Sequence, residues 1–294
     1  MSSKQRSRLI DTVLHIPPFN VRVRSPFAEV ARHLDFFYTG HRRCGPDAFI
    51  DFDVQVLNGK GLRRWWRPQV RFLLDGAESF FPLPAQQAAP MFEWGLNWCI
   101  ASRPLGYLVM HAGLLALGDR ALMMPGIPGA GKSTLSASLC LLEGWRLLSD
   151  ELAILDPESG EMLPHPRPIS LKNASIDIVT GFPHARIGTV YHDTRKGTIS
   201  HAACPPDSVA ASSAGARVRW VVFPRFELDS DPSCEEVSRA EAFSLISEQS
   251  FNRERMGEVG FDALCSMLTD ARCFQIVYGS TSAGLQLIRD ITLS

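Results

Sequence analysis

The stretch Gly126-Ile127-Pro128-Gly129-Ala130-Gly131-Lys132-Ser133-Thr134 constrains this chain more than any other. It has the spacing of a Gly, four free positions, then Gly-Lys-Ser, which works only between a buried strand and the start of a helix. Both neighbours are present. Ala121-Leu122-Met123-Met124 is a short apolar run fit for a buried strand, and Leu135 to Leu142 carries Leu135, Leu139 and Leu142 on one helical face. The glycines free the backbone so that successive N–H groups can converge on phosphate oxygens at the positive end of the helix. Lys132 is expected to reach the β- and γ-phosphates, and the Ser133 hydroxyl to ligate Mg²⁺. A turn that only joined strand to helix would not need Gly-Lys-Ser in that order, so ATP and Mg²⁺ are the expected cofactors.

After the loop helix, which should stop near Glu143-Gly144, an apolar strand runs into two adjacent carboxylates, Asp150 and Glu151, and continues as a second strand through Leu155. Two acids beside a phosphate loop divide two tasks, one holding the metal and the other accepting a proton. Arg167 and Lys172, in the proline-fixed segment Pro164 to Lys172, and Arg225, after the strand Val218 to Phe223 that is expected to end at Pro224, are candidate phosphate or substrate contacts. As plain surface cations they would need no such role.

The 294 residues suffice for one large domain or two ordinary ones. A formal charge of -1 argues against a general polyanion-binding surface, so nucleic acid is not an expected partner. Seven cysteines without a Cys-x-x-Cys pair fit reduced thiols, and eight histidines without ligand spacing disfavour zinc. The polar start, Met1 to Arg6, leads to no long apolar run, and no stretch approaches a membrane span. A cytoplasmic protein is expected.

Residues 1–90 read as a small β-rich domain, with alternation at Val21 to Arg24 and Phe49 to Val56 and turns at Asn58-Gly59 and Asp75-Gly76. Within it, Arg63-Arg64-Trp65-Trp66-Arg67 is expected to be an amphipathic strand with snorkelling arginines and packed tryptophans, in preference to a nucleic-acid stacking surface. Residues 91–294 form the second domain. It opens on a helix, Met91 to Ala101, whose Trp94 and Trp98 are expected in the core, and on a strand pair, 105–117 and 120–124, joined at Gly118-Asp119. Residues 181–216, rich in Pro, Gly, Ser and His, read either as a loop over the site or as a surface excursion. A capping box at Ser238 to Glu241 starts one helix, and a helix 261–268, a strand 273–278 and a helix 282–291 close the chain.

The order His111, then the Gly126 loop, then Arg146-Leu147-Leu148-Ser149-Asp150-Glu151, resembles the catalytic domain of HPr kinase/phosphorylase, whose fold is akin to phosphoenolpyruvate carboxykinase. The likeness spans about Gly106 to Leu155. The rest is similar to the HPr-kinase-related kinases, a bacterial group similar to kinases that modify ribosomally made peptides, in Arg167 to Lys172, Phe223-Pro224 and Ser250-Phe251-Asn252. The resemblance implies an α/β fold: a mixed sheet with flanking helices of the HPr kinase/carboxykinase type behind the β-rich N-terminal domain. It also implies Asp150 as proton acceptor, His111 beside it and Glu151 supporting the metal. Glu151 stands where the family has Asp, Thr134 stands where it is usually acidic, and the Glu-Val-Arg-Gly-Leu-Gly signature of true HPr kinases is missing.

The expected activity is Mg²⁺-dependent transfer of the ATP γ-phosphate to a hydroxyl, foremost a Ser or Thr of a peptide or small protein. A sugar or other small alcohol, a regulatory ATPase without an acceptor, and a homo-oligomer stay open.

Overall fold

In the computed structural model, residues 9–103 and 106–293 are described. The polar start Met1 to Arg6 and Leu105, the first residue of an expected strand, lie outside them. The chain divides into two compact units, Met1–Ile100 and Ala101–Ser294. The division falls ten residues later than the expected one, because the helix beginning at Ala88 buries its apolar face within the first unit.

That first unit is one mixed sheet with two helices. Strands β1 (Ile10–Ile16) and β2 (Phe19–Ser25) form an antiparallel pair, and helix α1 (Ala28–Phe37) crosses over to β3 (Phe52–Asn58), which lies parallel to β2. Then come β4 (Gln69–Leu74), antiparallel to β3, and the short β5 (Ala77–Glu78) and β6 (Leu83–Pro84). Alternation sets the buried face: Val21 and Val23, Val54 and Val56, Val70 and Phe72 are all buried. Helix α2 (Ala88–Ser102) buries Met91, Phe92, Leu96 and Ile100. It also buries Glu93, which accepts hydrogen bonds from the Tyr38 hydroxyl at 2.9 and 3.1 Å and lies 2.6 Å from His33 Nε2. The expected Trp94/Trp98 core pair is not found. Trp98 is 39% exposed and lies edge-on to the ring of Phe80, because the helix turns Phe92, Leu96, Cys99 and Ile100 inward instead. The Arg63 to Arg67 segment is not a strand either; Gly61–Arg64 is a single 3₁₀ turn in the β3–β4 connection.

The second unit is mixed α/β. Its strands and helices are β7 (Leu108–Leu117), β8 (Arg120–Pro125), α3 (Lys132–Leu142), β9 (Arg146–Ser149), β10 (Leu152–Leu155), β11 (Met162–Leu163), β12 (Ile169–Lys172), α4 (Ala174–Thr180), β13 (Tyr191–Thr194), β14 (Gly197–Ala202), α5 (Pro206–Ala210), β15 (Arg217–Phe226), β16 (Ser233–Glu236), α6 (Arg239–Glu248), α7 (Arg253–Thr269), β17 (Arg272–Tyr278) and α8 (Thr281–Leu293). The main sheet runs β11-β10-β7-β8-β15-β17-β16, with β9 also on β7. Only its middle, β8-β15-β17, is parallel. Alternation along β7 splits the core between two faces: Leu108, Met110, Ala112 and Leu114 join the cluster of α6 and α7, whereas Leu115 joins that of α3 and α8. Membrane-crossing length and apolarity are found in no helix among the described residues.

Two expectations are corrected here. Residues 181–216 are not a loop: β13 and β14 lie with β12 in a three-stranded antiparallel sheet, and α5 follows. The strand of Val218 does not stop at Pro224 but runs on to Phe226. Its partner β8 pairs only as far as Val221, so the missing N–H of Pro224 leaves no ladder bond unmade on that side. By contrast the Ser238 cap behaves as read, its side chain accepting from the Glu241 N–H at 3.2 Å.

Gly95 tests the first unit's packing. A Cβ there would lie 2.1 Å from the fully buried Phe72 ring. Gly95→Ala should therefore cost at least about 1–3 kcal/mol, read as a lower denaturant midpoint, and Phe72→Leu in the same chain should recover part of it. An unchanged midpoint in the single variant would contradict this packing.

Candidate functional site

The three parallel strands β8, β15 and β17 deliver their carboxyl ends, Pro125, Phe226 and Tyr278, to one edge of the sheet, where open α/β sheets place ligands. The Gly126 loop leaves β8 there and closes at Gly131, which has φ +93° and caps α3. Only glycine suits that position: beyond the left-handed backbone, a Cβ would lie 2.1 Å from the Tyr278 hydroxyl. Lys132, the first residue of α3, is buried and turns back so that its Nζ donates to the carbonyls of Gly126 and, at 3.0 Å, of Ile127. Burial pushes its pKa down to about 8, against the pull of Asp150.

The paired acids sit between two short strands, β9 and β10. β9 and β10 both run antiparallel along the same edge of β7, Ser149 opposite Leu114 and Leu152 opposite His111, with Asp150 and Glu151 between them. Asp150 is 4% exposed. Its Oδ2 accepts from the Ser133 hydroxyl at 3.0 Å and from the Ser170 backbone N–H at 2.9 Å, while its Oδ1 is buried with no hydrogen-bond partner. Burial first, and then the charge of Glu151, raise its pKa to about 6; the bonds from Ser170 and Ser133 and the charge of Lys132 restrain that rise. Glu151 moves the other way. Burial works against its ionisation, yet Lys196, Lys172, Arg167 and His111 together hold its pKa below the ordinary value.

His111 lies on β7, its backbone N–H bonded to the Gln249 carbonyl at 2.8 Å and its ring 6.1 Å from that of Phe251. Burial, then the charges of Lys132 and Lys172, push its pKa down to about 4 against the pull of Glu151 and the Gln249 side chain, so the imidazole is neutral at pH 7. Glu151 is the carboxylate whose charge acts on it, and Asp150 lines the same cavity. The Ser250-Phe251-Asn252 segment fixes this end of β7: Phe251 N–H donates to the Val109 carbonyl, and buried Asn252 accepts from Val109 N–H at 3.0 Å and donates to the Tyr107 carbonyl at 2.7 Å.

These groups surround a cavity of about 300 Å³. Of the residues singled out by sequence, His111, Pro128, Gly129, Gly131, Lys132, Ser133, Thr134, Asp150, Glu151 and Lys172 line it. Gly126, Ile127 and Ala130 shape the loop from outside that lining. Arg167 is buried, not a surface cation, and acts on Glu151 by its charge. Arg225 does not belong: it is exposed, paired with Glu227 and outside the lining. Sequence reasoning missed Ser170, Ile178, Phe226, Tyr278 and Thr281 on the wall. Tyr278 is the most telling, since its hydroxyl is buried without a hydrogen-bond partner beside Gly131. Lys196, on the β13–β14 turn, was also missed; burial lowers its pKa against the pull of Glu151.

Chemically, the arrangement can neutralise an anion with Lys132 and the loop N–H groups, and can move a proton at Asp150 Oδ1 near neutral pH. No group of three metal-ligating side chains occurs among the described residues. Ser133 and Asp150 alone would still suit Mg²⁺, which takes one or two protein oxygens and completes its shell with phosphate and water.

A stability measurement checks the Asp150 environment. The folded protein keeps this proton up to about pH 6, whereas an ordinary carboxylate near 3.8 releases it earlier. Ionised Asp150 thus costs stability that grows as pH rises from about 4 to 6, up to about 3 kcal/mol. Asp150→Asn, melted in the presence of EDTA, should be more stable than the parent at pH 8 and lose that advantage by about pH 4; a variant less stable at pH 8 would contradict it. No family model matches the chain and no curated protein matches it, so the site is read from its own geometry.

Proposed function

We propose that the protein is an ATP- and Mg²⁺-dependent kinase, with a core like that of HPr kinase/phosphorylase, which transfers the γ-phosphate to a hydroxyl of a peptide or small protein. The observation that carries the reading is the Ser133–Asp150 hydrogen bond: it joins the hydroxyl that ends the Gly-Lys-Ser motif to a buried carboxylate that has a second, unpartnered oxygen.

In this reading the N–H groups of Gly129 to Ser133 bind the phosphates, and Lys132 exchanges the Gly126 and Ile127 carbonyls for phosphate oxygens. The Tyr278 hydroxyl finds its hydrogen-bond partner on the nucleotide. Ser133 and Asp150 Oδ2 are the groups that would hold Mg²⁺, and the ion, when bound, offsets charge on the phosphates. Asp150 Oδ1 orients the acceptor hydroxyl and takes its proton as the acceptor oxygen bonds to the γ-phosphorus and the bond from that phosphorus to the β–γ bridging oxygen breaks. A pKa near 6 leaves Asp150 ionised at pH 7 and still basic enough for that task. Glu151, held ionised by the surrounding cations, keeps the site's charge balanced, and neutral His111 packs beside it. The paired acids favour transfer over simple hydrolysis, since water needs no second carboxylate to be positioned.

The test is transfer of labelled γ-phosphate from Mg·ATP into a size-fractionated extract of the host. Label is expected in a peptide or protein fraction. Lys132→Ala should weaken nucleotide binding and abolish turnover, while Asp150→Asn should retain binding and lose transfer by at least about 10²-fold. Label in the small-molecule fraction would make the acceptor a metabolite, free phosphate alone would make the protein an ATPase, and full transfer by Asp150→Asn would overturn the base assignment.

A further inference from the structure

The β3–β4 connection of the N-terminal unit presents a surface that the catalytic reading does not use. Its base is closed, Gly59 N–H donating to the Gln69 carbonyl at 2.7 Å, yet every residue from Lys60 to Pro68 is exposed. Three of them are large and apolar: Leu62 is 70% exposed, Trp65 79% and Trp66 55%. Three are arginines, Arg63, Arg64 and Arg67, and none has an acidic partner within 4 Å among the described residues, whereas Lys60 and Arg71 pair with Glu78. The loop has a definite shape. Arg67 adopts φ +47°, uncommon for a residue with a side chain, and its guanidinium lies 5.1 Å from the Trp66 ring centre; Arg63 lies 5.4 Å from the same ring and Arg64 5.4 Å from that of Trp65.

We infer that this loop docks the protein on an anionic lipid surface, with Leu62, Trp65 and Trp66 at headgroup depth and Arg63, Arg64 and Arg67 on lipid phosphates and carboxylates. A run in which every side chain is exposed forms a tip, and a tip fits a plane better than it fits a peptide, which needs a cleft. Single-stranded nucleic acid would stack on open ring faces, but arginines already cover these rings, and Leu62 has no part in such stacking. Tryptophan bodies at the headgroup level with cations beside them match the chemistry of an anionic interface. The positive charge is local, on a chain whose formal charge is -1, so the attraction belongs to this loop and not to the surface at large.

The full chain is sedimented with vesicles of phosphatidylcholine and phosphatidylserine in roughly a 3:1 ratio, and with phosphatidylcholine alone. Binding is expected only to the first, weakening as salt rises. Replacing Arg63, Arg64 and Arg67 together by Gln should lower the affinity about a hundredfold, and Trp65→Ser with Trp66→Ser should lower it at least tenfold, with melting temperatures near the parent's because all five side chains are exposed. In the unaltered protein, brominated acyl chains should quench tryptophan fluorescence, a readout that needs no variant. Absence of binding, equal binding to phosphatidylcholine alone, retention in both variants, or an unquenched bound protein would overturn the inference. Tighter binding to a single-stranded oligonucleotide or an acidic peptide than to the vesicles would also overturn it, in favour of that partner.

Discussion

The buried carboxylate of Asp150 is the point on which the second unit's site depends. A carboxylate taken out of water loses hydration that only hydrogen bonds and nearby cations can replace. Here Ser133 brings the start of α3, Ser170 brings the start of β12, and the break between β9 and β10 supplies the carboxylate itself. Three stretches of the chain, 17 and 20 residues apart, therefore meet at one oxygen atom, Oδ2. The second oxygen is buried without a partner, an arrangement that costs folding stability and that the proposed proton transfer would use.

Around that point the charges separate the properties of two adjacent acids. Asp150 is raised by burial and by its neighbour, whereas Glu151 is kept ionised by cations from β12, from the segment before it and from the β13–β14 turn. Two carboxylates one residue apart thus differ in how readily each holds a proton, which is what a division between proton acceptor and fixed charge requires. Burial lowers Lys132, so this cation is held at a cost that an incoming polyanion would relieve, and burial leaves His111 neutral.

Much of this was legible in local sequence. The loop and its flanking strand and helix follow from nine residues, because glycine at positive φ and Lys-Ser at a helix start are local requirements. The acid pair between two short strands was legible too, but not that both strands lie along one edge of β7, since strand partners are set by β7 and not by residues 146–155. Composition misled where the tertiary context dominates. Pro, Gly and Ser in 181–216 suggested a loop, although β14 pairs on both sides, and Pro224 suggested a strand end, although β8 stops short of it. That second misreading hid Phe226 from the site. Tyr278 carried no signal, as its role comes from touching Gly131 across two strands. Arg63 to Arg67 mixes basic and aromatic residues as an amphipathic strand can, but the 3₁₀ turn Gly61–Arg64 takes it out of the sheet and into water.

The central claim, that Lys132 and the glycine loop form a nucleoside triphosphate site, is tested most directly by calorimetric titration of Mg·ATP at pH 8 in two buffers that differ in ionisation enthalpy. With the Lys132 pKa depressed to about 8, an arriving phosphate should raise it, and binding should draw protons from the buffer. The account expects saturable binding whose heat differs between the buffers, with a proton uptake of up to about one half per site that is absent in Lys132→Arg. No binding, or binding with the same heat in both buffers, would contradict it.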